Sequence, residues 1–324
     1  MRRVALIYNP QSGQHSSRRG AALQGALKVL RDAGIEAEAL ETDGPGSASH
    51  LARAAVRNHY DTILACGGDG TVHEVLQCLV GTEVALGVMP LGTANALAQD
   101  LGLGKSPVKA VRKLLTAVPT QVPVGHIFYH DKNGSERSCY FTVAAGIGAD
   151  ALLMASLDAG LKRRFGYALY LVEAARIWAT NPFPLFRADF SMNAGGSGNG
   201  NGNSSRRAAD VSQLLAVRVR SFGGVLGTLA PGATVRSETL SFITFKTRSR
   251  YRYLRFLLAV VAGRHTFSGD VELLEATKVE CSPSNGSKAT IYVEADGEVL
   301  GALPARMEIA PQTLTLLVPP HAQP

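Results

Sequence analysis

Gly67-Gly68-Asp69-Gly70-Thr71 stands between a continuous apolar run, Thr62-Ile63-Leu64-Ala65-Cys66, and a segment with Val72, Val75, Leu76 and Leu79 at i, i+3, i+4 and i+7. The run reads as a buried strand and the spaced residues as one face of a helix, so the glycines form a strand-to-helix turn. Such a turn lets backbone N–H groups approach phosphate oxygens, and the helix N-terminus adds the positive end of its dipole. A Cβ would block both positive φ and the close approach. Asp69 at its centre is useful beside phosphates only with a metal ion or a transferable proton to handle. The plainer reading, an ordinary turn with an Asp cap, must explain three glycines around one acid and is the weaker of the two.

Outward from this turn, the first 120 residues alternate strand and helix. Val4–Tyr8 is a strand, and residues 18–33 form a helix with Leu23, Ala26, Leu27 and Leu30 inward and Gly34 as its stop. A strand over 35–40, a helix capped by Ser47 and running to His59, the 62–66 strand, a helix over 72–80 and a strand over 84–89 follow. The Pro90-Leu91-Gly92-Thr93 loop then leads to a helix carrying Ala94, Leu97, Ala98 and Leu101. The alternation predicts a parallel sheet with helices on both faces, and ligands of such sheets bind at the carboxyl ends of the strands.

After Val118-Pro119 the texture changes. Strand-like segments at 138–144, 185–191, 213–220, 239–246, 271–281, 288–294 and 312–318 mostly lack helices between them, which predicts an antiparallel β-sandwich second domain. Helical patterns at 150–179 and 249–263 interrupt it. Residues 194–205, rich in Gly, Asn and Ser, read as a flexible loop. The expected domains are 1–124 and 125–308, with 309–324 packing back onto the first.

The 324 residues suffice for two domains. Hydrophobic content of 46% with 18% charged residues fits a soluble globular protein, and no apolar run approaches the ~20 residues that span a bilayer. The opening Arg2-Arg3-Val4-Ala5-Leu6-Ile7-Tyr8 resembles a signal peptide only until Asn9-Pro10, so a cytoplasmic protein is expected. Cys66, Cys78, Cys139 and Cys281 lack metal-ligand spacing and read as reduced thiols. A net charge of +7 attracts polyanions without choosing among nucleic acid, nucleotide and anionic membrane.

Four loops carry polar residues at successive strand ends. They are Asn9-Pro10-Gln11-Ser12-Gly13, the loop with Thr42, the Gly67–Thr71 cradle, and Pro90-Leu91-Gly92-Thr93-Ala94-Asn95. Singly, each Ser, Thr or Asn is more simply a helix cap than a ligand. No Walker-type Gly-x-x-x-x-Gly-Lys-Ser/Thr is present, and His73 stands where a dinucleotide fingerprint needs its third glycine.

Asn9-Pro-x-Ser-Gly13, Gly67-Gly-Asp-Gly-Thr71, Pro90-Leu-Gly-Thr-Ala-Asn95 and the late Asp296-Gly297-Glu298, in this order, resemble the diacylglycerol kinase catalytic family, which includes bacterial lipid kinases and sphingosine and ceramide kinases. The resemblance covers nearly the whole chain. It implies a first domain like those of NAD kinases and phosphofructokinases, and an ATP- and Mg²⁺-dependent kinase. Gly67, Gly68, Asp69, Gly70 and Thr71 would hold the phosphates, with Asn9, Ser12, Thr42, Thr93 and Asn95 lining the nucleotide site. Asp69 would act through Mg²⁺ or directly on the reacting groups, and Glu298, with Asp296 beside it, would take the proton from a lipid hydroxyl. Asp-Gly is also a strong hairpin turn, so an exposed turn is the plain alternative for this segment.

Two positions depart from the family pattern. Ala96 stands where an acid usually follows the Asn of the fourth loop. After Ala230-Pro231-Gly232-Ala233, the chain reads Arg236-Ser237-Glu238 in place of an Asp-rich pair, so a structural metal site there is not carried over.

Residues 248–264 hold five arginines beside an apolar helical stripe, with Lys162-Arg163-Arg164-Phe165 as a further basic segment. A basic amphipathic helix of this kind suits an anionic membrane surface, and equally a core helix with a solvated edge. The partners expected are therefore a membrane lipid, an anionic bilayer approached peripherally, a second copy of the chain, and no nucleic acid. A kinase of a soluble substrate such as NAD, and a catalytically silent nucleotide-binding regulator, remain the alternatives.

Overall fold

The computed structural model describes residues 1–13, 16–156, 167–192, 205–220, 230–261, 269–284 and 289–320. The first body alternates β1 (Arg3–Tyr8), α1 (Ser16–Asp32), β2 (Glu36–Glu41), α2 (Ser47–Arg57), β3 (Thr62–Gly67), α3 (Asp69–Leu79), β4 (Ala85–Pro90), α4 (Ala96–Asp100) and α5 (Pro107–Leu114). β1 lies parallel to β2 and β3, and β3 parallel to β4. Every residue of β3 and β4 is buried. That is the continuous apolar signature of parallel strands covered on both faces. α1 turns Leu23, Ala26, Leu27 and Leu30 into the core, where each buried Leu contributes roughly 1.5–3 kcal/mol.

One helix start differs from expectation. The N-cap of α2 is Gly46, not Ser47, and the Glu74 carboxylate of α3 accepts the N–H groups of Gly46 and Ala48 at 2.9 and 3.1 Å. An acid reaching across from a neighbouring helix replaces the local cap, a substitution that sequence spacing does not report.

The second body comprises β5 (Val118–His130), β6 (Glu136–Phe141), β7 (Ala144–Ile147), α6 (Ala149–Ser156), α7 (Tyr167–Thr180), β8 (Phe186–Met192), β9 (Ser205–Val211), β10 (Gln213–Val217), β11 (Leu240–Phe245), α8 (Arg250–Val261), β12 (Val271–Ala276), β13 (Lys278–Pro283), β14 (Tyr292–Ala295) and β15 (Glu298–Val318). Its pairings are antiparallel. Of the loop expected at 194–205, residues 194–204 lie outside the described residues, as does the basic segment 162–165, while Ser205 opens β9 instead.

β15 joins the two bodies. It starts at Glu298, runs for 21 residues, and near its end lies parallel to β4 through Leu316 and Leu86. β5 runs antiparallel beside it from Val118↔Val318 to His130↔Ala302, so residue 124, expected as a domain boundary, falls inside a strand. Sequence reading missed β5 and two thirds of β15 because both carry prolines, which ordinarily end central strands. Here the β5–β15 register shifts between Ala302 and Arg306 and between Ile309 and Thr313, and Pro304 and Pro311 sit in those irregular stretches.

Arg218, 1% exposed, ties β5 to the 230–238 segment. Its Nη2 donates to the carbonyl oxygens of Pro123 and Val235 at 2.8 Å and of Ser237 at 3.2 Å. Burial pulls the guanidinium down to about 10, against the opposing Asp296 charge. The segment without the Asp-rich pair is thus organised by a side-chain cation.

Helix α8 docks through Tyr253 and Phe256 against Phe245, and Trp178 Nε1 of α7 donates to Arg250 O at 2.7 Å. Arg250 donates to Ala179 O and Arg252 to Asp270. Tyr251, Arg255 and Leu258 remain exposed. No helix among the described residues is long and apolar enough to cross a membrane.

Replacing Arg218 with Met is expected to lower unfolding stability by about 3 kcal/mol, because buried carbonyls each lose a partner worth roughly 1–3 kcal/mol. Chemical denaturation of the two proteins checks this; an unchanged midpoint would contradict it.

Candidate active site

The loops after β1, β2, β3 and β4 converge at the carboxyl edge of the parallel sheet. Leu91 N–H donates to Gly67 O at 2.9 Å, Asn9 N–H to Cys66 O at 3.2 Å and Thr42 N–H to Tyr8 O at 3.0 Å. Gly68 and Gly92 approach so closely that a Cβ on Gly92 would overlap the Gly68 Cα. The third and fourth polar loops are thereby locked to each other, and the first and second are tied to the ends of β3 and β1.

Asn95 holds the fourth loop from within. Its Oδ1 accepts the Gly92 N–H and its Nδ2 donates to Gly92 O, both at 2.8 Å, and its φ of 49° is left-handed. Asn9 Oδ1 accepts Gln11 N–H at 2.8 Å. Both asparagines thus build their own loops, at the edge where the sequence reading put a nucleotide. Thr42 and Thr71 are buried, the latter beneath Gly67; Ser12 is half-buried and Thr93 exposed.

α3 starts at Asp69 with Gly68 as its N-cap, and no side chain caps it. The plain alternative of an Asp cap is therefore not what the turn contains. The uncapped N-terminus and three glycines leave backbone N–H groups and the dipole facing the sheet edge, the chemistry that suits phosphate. Asp69 Oδ1 instead accepts the Ala96 N–H at 2.8 Å. Position 96, an alanine, thus serves this site through its backbone. Burial pushes the Asp69 carboxyl above the ordinary carboxylate range, opposed by the Ala96 amide and reinforced by the Asp296 charge. A bound divalent cation would relieve that cost, so Asp69 fits a metal ligand. Among the described residues no cluster of three or more His, Cys, Asp or Glu side chains forms a ready-made cage.

The second body delivers Glu298. Asp296 and Gly297, with φ of 49° and 85°, form the two-residue turn between Ala295 and Glu298, as a hairpin requires. Glu298 is exposed, and a Cβ on Gly70 would lie 2.8 Å from its Oε1. A second carboxylate thus sits directly over the glycine cradle.

Asp296 is neither an exposed turn residue nor a free carboxylate. It is buried, Oδ1 accepts the N–H groups of Val143 and Ala144 at 2.9 and 3.1 Å, and Oδ2 accepts that of Thr142 at 3.1 Å. Oδ2 also lies 3.4 Å from His73 Nδ1. Grouping it with the reacting residues is corrected on this ground: its oxygens are committed to the backbone of residues 142–144, so it anchors the turn.

His73 and Gln77 escaped the sequence reading as site residues. Gln77 Nε2 donates to Tyr140 O and its Oε1 accepts Tyr140 N–H, both at 2.8 Å, tying α3 to β6. The available signal was their i, i+4 spacing beside the apolar stripe, which puts two polar residues on one helix face.

The fold and this arrangement of cradle and paired acids define a two-domain phosphotransferase of the kinase type. Residues 3–127 match the diacylglycerol kinase catalytic domain, and residues 142–318 match the YegS C-terminal NAD kinase beta sandwich-like domain. The chain belongs to the family of the YegS C-terminal NAD kinase beta sandwich-like domain, whose model spans more than half of it, and that domain follows the match to a diacylglycerol kinase catalytic domain. It is 28% identical to a diacylglycerol kinase of Mycobacterium tuberculosis H37Rv over 98% of this chain and 96% of that one. The identity to a diacylglycerol kinase of Bacillus subtilis strain 168 is 26%, over 94% and 92%. In fold it is similar to the crystal structure of a diacylglycerol kinase from Bacillus anthracis str. Sterne, with a TM-score of 0.69 and 18% identity over 99% and 98% of the chains.

Gly70→Ala is expected to displace Glu298 while leaving the helix as stable or slightly more so, since Ala outranks Gly in helices. Phosphoryl transfer should fall about 100-fold, the cost of roughly an ångström of misplacement, with an unchanged melting midpoint. Full activity in this variant would contradict the contact.

Proposed function

We propose that this protein is an ATP-dependent kinase that transfers the γ-phosphate to the hydroxyl of a membrane lipid, diacylglycerol or a related lipid. The observation that carries the reading is Glu298 Oε1 poised over Gly70 of the uncapped cradle. Phosphoryl transfer needs clamped phosphates, neutralised charge and an aligned alcohol. Gly67–Thr71 supplies backbone donors for the first requirement.

Glu298 takes the proton of the acceptor hydroxyl as its oxygen bonds to the γ-phosphorus and the bond to the bridging oxygen of ADP breaks. A carboxylate suffices as base because the alcohol loses its proton late. Asp69 would hold Mg²⁺, which when bound supplies charge neutralisation on the phosphates. The Ala96 N–H holds the Asp69 carboxylate at the cradle.

Membrane approach through α8 is part of the same proposal. Exposed Tyr251, Leu258 and Arg255 support it, whereas Arg250 and Arg252 are engaged within the fold. Each cation near an anionic surface contributes about 1 kcal/mol. Arg248→Glu with Arg255→Glu is therefore expected to weaken binding to phosphatidylglycerol vesicles about tenfold or more, with binding in the parent falling steeply with salt. Unchanged vesicle co-sedimentation would remove this part of the proposal.

Labelled γ-phosphate transfer from Mg·ATP to diacylglycerol, sphingosine, ceramide and phosphatidylglycerol in mixed micelles, beside NAD, tests the function. A labelled lipid is expected, lost on Asp69→Asn or Glu298→Gln with folding intact. Label on NAD alone would overturn the lipid assignment, and ATP binding without transfer to any acceptor would favour a silent regulator.

A further inference from the structure

Glu294 lies two residues before the turn that carries Glu298, and it is 5% exposed. β14 pairs with β7 so that Glu294 faces Gly146, and the β14–β15 register shifts between Val293 and Glu294. A bulge of this kind re-aims a side chain. Glu294 Oε2 accepts the Gly297 N–H at 2.9 Å, which fastens its carboxyl group to the turn itself.

The other oxygen shares the space beside Gly146 with a second acid. A Cβ on Gly146 would lie 2.9 Å from Glu294 Oε1 and would overlap Asp150 Oδ2, so both carboxyl groups fill the space that glycine leaves open. Asp150 comes from the first turn of α6, whose backbone N–H groups, those of Ala151 and Asp150, favour its ionised form. No basic side chain among the described residues is hydrogen-bonded or ion-paired to either acid. A buried Glu294 and a half-buried Asp150 that line the same space cannot both ionise cheaply.

We propose that Glu294 and Asp150 share one proton and form a clasp that fixes the Asp296-Gly297 turn and so aims Glu298 at the cradle, which makes Glu294 a positioning residue for phosphoryl transfer. The inference rests on the reading of Glu298 as the base. Glu294 holds the proton and Asp150, at the helix N-terminus, carries the charge. Burial and the Asp150 charge push Glu294 well up, and burial pushes Asp150 up to about 6. The other titratable groups facing the pair are Asp296 and Glu298 from its own hairpin, Cys139 of β6 and Tyr253 of α8. The Arg218 charge acts on Asp296. The three acids of the hairpin and α6 all disfavour a second charge on Glu294.

The sign follows from these raised values. The folded protein holds a proton that the unfolded chain releases at the ordinary carboxylate range, so the clasp's stabilisation is present below that range and declines as pH rises through the raised values. Both stability and turnover then lose ground on the alkaline side.

The test compares the full-length parent with Glu294→Gln and Glu294→Leu from about pH 6 to about pH 9, spanning the range above an ordinary carboxylate. Gln reproduces the protonated acid, accepting from Gly297 and donating to Asp150. Glu294→Leu is expected to lower kcat at least ~10-fold with KM for ATP unchanged, and Gln to recover most of it with the alkaline limb moved up or abolished. The melting midpoint of the parent should fall with pH while that of Glu294→Gln stays flat. Parallel melting profiles in parent and Gln variant would overturn the clasp, as would an equal kcat loss for Gln and Leu. Melting needs no lipid, so it judges the clasp even if no lipid on the panel accepts phosphate, an outcome that would instead count against the kinase reading.

Discussion

The Asp296 carboxylate, buried at the tip of the β14–β15 hairpin, accepts three backbone N–H groups from residues 142–144 and faces His73 on the cradle helix. Hydrogen bonds to a charged group are worth about 1.5–3 kcal/mol each, more than ordinary ones, and leaving such a charge unpaired costs more still. The turn therefore has one seat. Because Glu298 follows two residues later, that seat decides where the exposed carboxylate stands relative to Gly70. α3 is held in turn by Gln77 on Tyr140, so cradle and hairpin are referenced to the same β6–β7 segment.

The long strand β15 makes this possible. Its first residue is Glu298, and its last turn-free stretch closes onto the parallel sheet beside β4. A single strand thereby links the position of the second acid to the parallel sheet that bears the glycines. Arg218 adds a buried cation between the ribbon and the 230–238 segment, gathering three carbonyl oxygens. Rigid elements of this kind hold a constellation more tightly than loops do.

The alternating first body was legible in the sequence because its signals are local: apolar runs of strand length, 3.6-residue stripes and glycines at strand ends. Leu23, Ala26, Leu27 and Leu30 face inward as their spacing requires. Local signals failed where tertiary context won. Pro119, Pro123, Pro304 and Pro311 hid β5 and most of β15, yet bulges accommodate the last two. Ser47 looked like a cap until Glu74 reached in from α3. The cradle and Glu298 were legible through ordered motifs, whereas the burial of Asp296 and the meeting of Glu294 and Asp150 beside Gly146 depend on elements distant in sequence that no spacing reports.

Energetic coupling between Asp296 and Glu298 bears most directly on this account. Single-turnover phosphoryl transfer would be measured for Asp296→Asn, Glu298→Gln and the double variant, each checked for a native melting transition. If Asp296 acts only by seating the turn, the double variant is no slower than Glu298→Gln alone. Losses that multiply would mean that Asp296 serves the reaction independently, and would contradict the account.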